Sequence, residues 1–84
     1  MLDNSVFINE LNKCYKIIRN TDAHLTVKQL QKNLCLIDDC EIVVAECLMR
    51  YGLDDSFEPN EYGKTLENVI DVLLRIKLSK DTDT

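Results

Sequence analysis

The sequence predicts an all-α fold, a single small bundle of about four helices. Apolar residues recur at helical spacing in several segments, and residues that cap helices precede them. The chain of 84 residues contains only two glycines and one proline, which favours helices over turn-rich sheets. A chain of this length buries one modest core, so residues 1–84 are predicted to form one domain.

The first helix is predicted over residues 4–19, where Phe7, Leu11, Cys14 and Ile18 form an apolar stripe. Asn4 or Ser5 is expected to be its N-cap. The second helix is expected to start at a capping box in which Gln29 follows Thr26 by three residues, and to extend through Leu34.

The third helix is predicted to start at Asp38 after an apolar turn formed by Leu36 and Ile37, and to run to about Tyr51. Gly52 is expected to end it in a left-handed conformation. Ile42-Val43-Val44 is β-branched and would also suit a strand, but the flanking caps favour a helix.

Leu66, Val69, Ile70, Leu73 and Leu74 mark the last helix, which starts either near Asn60, behind Pro59, or at Thr65. In the first case Gly63 would be an internal weak point, costing about 1 kcal/mol relative to Ala. Residues 79–84 are predicted to be a disordered, frayed tail.

Residues 38–61 carry more than the whole net charge of the protein. They contain eight carboxylates and a single basic residue, Arg50, which gives a net charge of −7 against −5 for the whole chain. The eight acids are Asp38, Asp39, Glu41, Glu46, Asp54, Asp55, Glu58 and Glu61. This block is interpreted as a docking surface for a positively charged partner, and the simpler alternative is a solubilising face.

The segment from Tyr51 to Gly63 forms the centre of this block. It contains both glycines, the proline and four of the carboxylates, and it connects two predicted helices. Its aromatic residues Tyr51, Phe57 and Tyr62 are candidate binding anchors, since aromatic side chains often contribute most of the binding energy of an interface. Phe57 would equally suit a plug that fastens the connection to the core.

Residues 25–52 have the size of a helix-turn-helix, but the acidic second helix argues against contact with DNA phosphates. Asp55-Ser56-Phe57 also suggests the Asp-Ser-Leu attachment site of acyl carrier proteins. In that family an acidic helix follows the serine directly, whereas Pro59 interrupts here. A calcium loop would need glycine at its sixth position, and no register starting at Asp54 or Asp55 provides one. No catalytic residue, metal site or cofactor is predicted, and His24 is the only histidine.

The four cysteines are predicted to be buried free thiols in a reducing cytoplasm, with a disulfide framework as the alternative. Cys14, Cys35, Cys40 and Cys47 form no C-x-x-C pair, which a zinc site would favour. The chain contains no apolar run of the roughly 18 residues that a membrane span needs, and its start lacks the features of a secretory signal. The expected location is therefore the cytoplasm, with no membrane partner.

Residues 41–76 combine an acidic loop with an apolar helix. The loop contains Tyr51-Gly52-Leu53-Asp54-Asp55 and Pro59-Asn60, and the helix contains Leu66-Glu67-Asn68-Val69-Ile70-Asp71. This pattern resembles small bacterial immunity proteins. These proteins are the inhibitors paired with polymorphic toxins, including those of contact-dependent growth inhibition. The resemblance implies a non-enzymatic protein that binds a cognate toxin domain, often a nuclease, and blocks its active site or substrate groove.

We therefore expect this protein to bind a basic nuclease toxin and not to bind nucleic acid itself. The main alternative is a regulatory or adaptor module derived from a helix-turn-helix. The predicted partner-binding residues are Asp38, Asp39, Glu46, Tyr51, Asp54, Asp55, Glu58, Glu61 and Tyr62.

Overall fold

The computed structural model describes residues 3–82. It contains four helices connected by short segments. They are α1 (Asn4–Arg19), α2 (Val27–Lys32), α3 (Leu34–Tyr51) and α4 (Glu61–Thr82). In this part of the chain the only β-type pairing is a single antiparallel bridge between Leu53 and Pro59. The predicted all-α bundle is confirmed. No helix within residues 3–82 is long and apolar enough to cross a membrane.

The core lies between α1, α3 and α4, and α2 closes one side of it. The most extensive packing is between α3 and α4, followed by that between α1 and α3. Among the side chains that the structure describes, twelve have no solvent exposure: Phe7, Leu11, Cys14, Leu30, Ile37, Cys40, Val43, Val44, Cys47, Leu66, Val69 and Leu73. They come from the apolar stripes of all four helices, because each amphipathic helix must bury one face.

The ends of α1 are fixed by Asp3 and Asn20. The N-cap is Asp3 and not Asn4 or Ser5: its Oδ1 accepts the backbone N–H groups of Ser5 at 2.8 Å and Val6 at 3.2 Å. These two bonds stabilise the carboxylate and lower the pKa of Asp3. Asn20 ends the helix in a left-handed conformation with φ 51°, which Asn tolerates better than most residues.

The capping box of α2 is confirmed, with Thr26 and Gln29 exchanging hydrogen bonds at 2.9 and 3.3 Å. The predicted start of the third helix is wrong. Asn33 caps α3, since its side chain accepts the Leu36 N–H at 3.3 Å. Asn33 is also the only residue between α2 and α3.

Leu34 was predicted to end the second helix, and Leu36 and Ile37 were predicted to form a turn. All three are helical residues of α3. Leu34 is half-buried and Ile37, one turn later, is fully buried. Burying this extra turn of apolar side chains extends α3 towards its N-terminus. Asp38 consequently lies inside the helix and does not cap it.

The junction of α3 and α4 depends on close backbone contact. Gly52 has φ −100°, so the predicted left-handed conformation is wrong. A Cβ on Gly52 would lie 2.9 Å from the Gly63 Cα, and a Cβ on Gly63 would overlap the Gly52 carbonyl oxygen. Both positions therefore require glycine for space, and Gly63 is a packing residue instead of a weak point.

The last helix starts at Glu61, close to the first of its two predicted starts and not at Thr65. Asn60 precedes it, and its Oδ1 accepts the Gly63 N–H at 2.8 Å, as an N-cap does. The helix continues to Thr82. Residues 79–82 of the predicted tail are thus helical, and residues 83–84 lie outside the described residues.

Candidate protein-binding surface

The connection between α3 and α4, residues 52–60, is a short hairpin-like loop, which we call the acidic loop. Its base is closed by the bridge between Leu53 and Pro59. The Asp54 N–H donates to the Glu58 carbonyl at 2.8 Å, and the Asn60 N–H donates to the Gly52 carbonyl at 2.9 Å. Backbone hydrogen bonds therefore join the two sides of the loop.

Asp54 shapes the tip of the acidic loop. Its Oδ1 accepts the N–H groups of Ser56 at 2.8 Å and Glu58 at 3.1 Å. Its carbonyl also accepts the Phe57 N–H at 3.0 Å. This is the turn-forming role that suits an Asp side chain, so one of the predicted binding residues also maintains the loop conformation.

Phe57 points away from the protein at the tip of the acidic loop. Its side chain is 82% exposed, so the alternative in which Phe57 plugs the loop into the core is wrong. Its backbone is left-handed, with φ 60°, a conformation that is costly for a residue with a bulky side chain. The hydrogen bonds around Asp54 hold it there.

Asp55 and Glu58 flank Phe57 and are both exposed. Neither side chain has an ion pair or hydrogen bond to the described part of the chain. Glu61, at the start of α4, has a side chain that is 97% exposed and lies 3.7 Å from the Lys64 ammonium. The acidic loop and the first residue of α4 thus present carboxylates that intramolecular cations neutralise little.

The predicted acids on α3 differ from those of the loop because basic residues lie against them. Asp38 Oδ1 is 2.7 Å from the Lys77 ammonium of α4. Glu46 Oε1 is 2.8 Å from Arg50, one turn along the same helix. Both carboxylates remain partly exposed, but their charge is balanced locally.

Asp39 has a structural role in joining α3 to α1. Its Oδ2 accepts the Tyr15 hydroxyl at 2.5 Å, and its Oδ1 lies 2.8 Å from Arg19. The hydrogen bond from Tyr15 and the nearby guanidinium of Arg19 lower the pKa of Asp39. Burial and the same hydrogen bond raise the pKa of Tyr15.

The two predicted tyrosine anchors have different surroundings. Tyr51, the last residue of α3, is 52% exposed. Tyr62 is half-buried, with its hydroxyl 3.6 Å from Cys47 Sγ and Lys13 positioned 5.4 Å from the ring centroid. Burial raises the pKa of Tyr62. Tyr51 therefore remains accessible to a partner, whereas Tyr62 mainly packs within the bundle.

All four cysteines are free thiols, and three of them, Cys14, Cys40 and Cys47, are buried as predicted. The fourth, Cys35, is exposed. Burial and the neighbouring Cys47 raise the pKa of Cys14 to about 12, so its thiol stays protonated. No three potential metal ligands cluster within residues 3–82.

Besides Phe57, which was a predicted candidate anchor, two apolar side chains of α3 are strongly exposed that were not among the predicted site residues. Ile42 is 61% exposed and Met49 is 74% exposed on α3, and Phe57 is the most exposed of the three. The third helix is apolar on most of its faces, so helical periodicity alone did not show that Ile42 and Met49 are exposed. Their separation by seven residues was the available signal, because this spacing places them on one face.

No family model, curated protein or solved structure matches the chain. The distinguishing feature of the surface is the acidic loop, which combines a fixed backbone, an exposed aromatic residue and two carboxylates that have no ion pair with the described residues.

Proposed function

We propose that this protein is a bacterial immunity protein that binds and neutralises a cognate toxin domain without catalysis, and that the toxin is a basic nuclease. The observation that carries the proposal is Phe57, 82% exposed at the tip of the acidic loop and flanked by the exposed carboxylates of Asp55 and Glu58. A side chain this exposed contributes little packing to the bundle, and it suits insertion into a partner.

The charge of the loop indicates the chemistry of the partner. A nuclease groove is basic because it must hold phosphates, and carboxylates at the loop tip are complementary to such a groove. Electrostatic attraction of this kind raises association rates towards about 10⁸–10⁹ M⁻¹s⁻¹ at low salt. Fast capture suits a protein that must bind a toxin before the toxin acts.

The rigidity of the loop supports the same function. The Leu53–Pro59 bridge and the two hydrogen bonds accepted by Asp54 Oδ1 fix the loop before a partner arrives. A preformed loop loses less conformational entropy on binding than a flexible one does. We place the protein in the cytoplasm, where its four free thiols would stay reduced.

The test uses the domain encoded at the end of the neighbouring upstream reading frame, produced together with this protein. The variant D55K/E58K reverses two charges and leaves Asp54, which shapes the loop, unchanged. We expect association to slow by about tenfold or more at low salt and its salt dependence to flatten. The control E67K/D71K makes the same charge change at exposed positions on α4 and should have a much smaller effect.

Equal association rates for the wild-type protein and D55K/E58K would remove the acidic loop from the interface. A neighbouring domain that is not toxic, or whose toxicity this protein does not relieve on co-expression, would contradict the immunity function itself.

The alternative function is a regulatory or adaptor module derived from a helix-turn-helix. In that motif a turn of three or four residues separates the two helices, whereas Asn33 alone separates α2 from α3. A gel-shift assay at low salt distinguishes the two functions. A DNA complex formed by the isolated protein would favour the alternative.

A further inference from the structure

We draw no further inference here: the strongest candidate, the exposed apolar face of α3 that Ile42 and Met49 form, carries none because nothing in the structure shows what covers it.

Discussion

The backbone of Gly52 lies directly against that of Gly63, where the end of α3 meets the first turn of α4. The Gly52 carbonyl oxygen occupies the position that a Cβ on Gly63 would need. That oxygen also accepts the Asn60 N–H at 2.9 Å, which limits its freedom to move. The angle between the two helices, and with it the orientation of the acidic loop, depends on this pair of glycines.

Gly63→Ala should destabilise the protein even though Gly63 lies in a helix. In a helix, alanine is more favourable than glycine by about 1 kcal/mol. The overlap with Gly52 should cancel this gain and lower the free energy of unfolding by about 1–3 kcal/mol more. Urea unfolding would show a lower midpoint. The control Asn68→Ala changes an exposed position of the same helix and should leave the midpoint unchanged or raise it. A more stable Gly63→Ala variant would contradict the close contact.

Tyr15→Phe should lower the free energy of unfolding at pH 7 by about 1–3 kcal/mol, because it removes a hydrogen bond to an ionised acceptor. The folded-state pKa of Asp39 lies below its ordinary value of 3.8. The ionised Asp39 therefore adds to the free energy of unfolding above pH 3.8, and this contribution is lost as the pH falls through the folded-state pKa of Asp39.

The difference between the wild type and Tyr15→Phe should accordingly shrink as the pH falls below 3.8. Chemical unfolding at a series of pH values measures this. Tyr51→Phe is the matched control, since the Tyr51 side chain is exposed, and it should follow the wild-type curve. A difference that stays constant down to pH 2 would show that Asp39 is not the group responsible.

Phe57→Asn should raise the free energy of unfolding by about 1 kcal/mol, because asparagine tolerates the left-handed conformation better than phenylalanine does. The side chain is 82% exposed, so little packing is lost. Phe57→Ala removes the same ring but keeps the backbone strain, and its stability should stay near that of the wild type. Under the proposed function, both variants should weaken binding of the partner, since both remove the exposed ring. Loss of stability in Phe57→Asn would show that the ring supports the fold.

The helices and the core could be predicted from sequence because helical periodicity is a local signal. Thr26 with Gln29, and the stripe from Phe7 to Ile18, needed no information from distant residues. The start of α3 could not be predicted in the same way. Asn33 and Asp38 are both good N-caps, and the choice between them depends on whether Ile37 is buried against other helices.

The electrostatic character of the acidic block was predictable only in part. The ion pair between Lys77 and Asp38 joins residues 39 positions apart, and the link from Tyr15 to Asp39 also connects two helices. Net charge counted along the sequence does not show such pairing. Asp55 and Glu58 have no ion pair within the described residues, because they lie in a loop whose acids have few basic neighbours.

The bridge between Leu53 and Pro59 separates the tip of the acidic loop from the helices it connects. We therefore expect side-chain changes at residues 55–57 to leave α3 and α4 in place, because the bridge, Asn60 and the glycine pair hold the helices and Asp54 holds the turn. Under the proposed function, the binding specificity of the loop would change through these positions at little cost to the stability of the bundle.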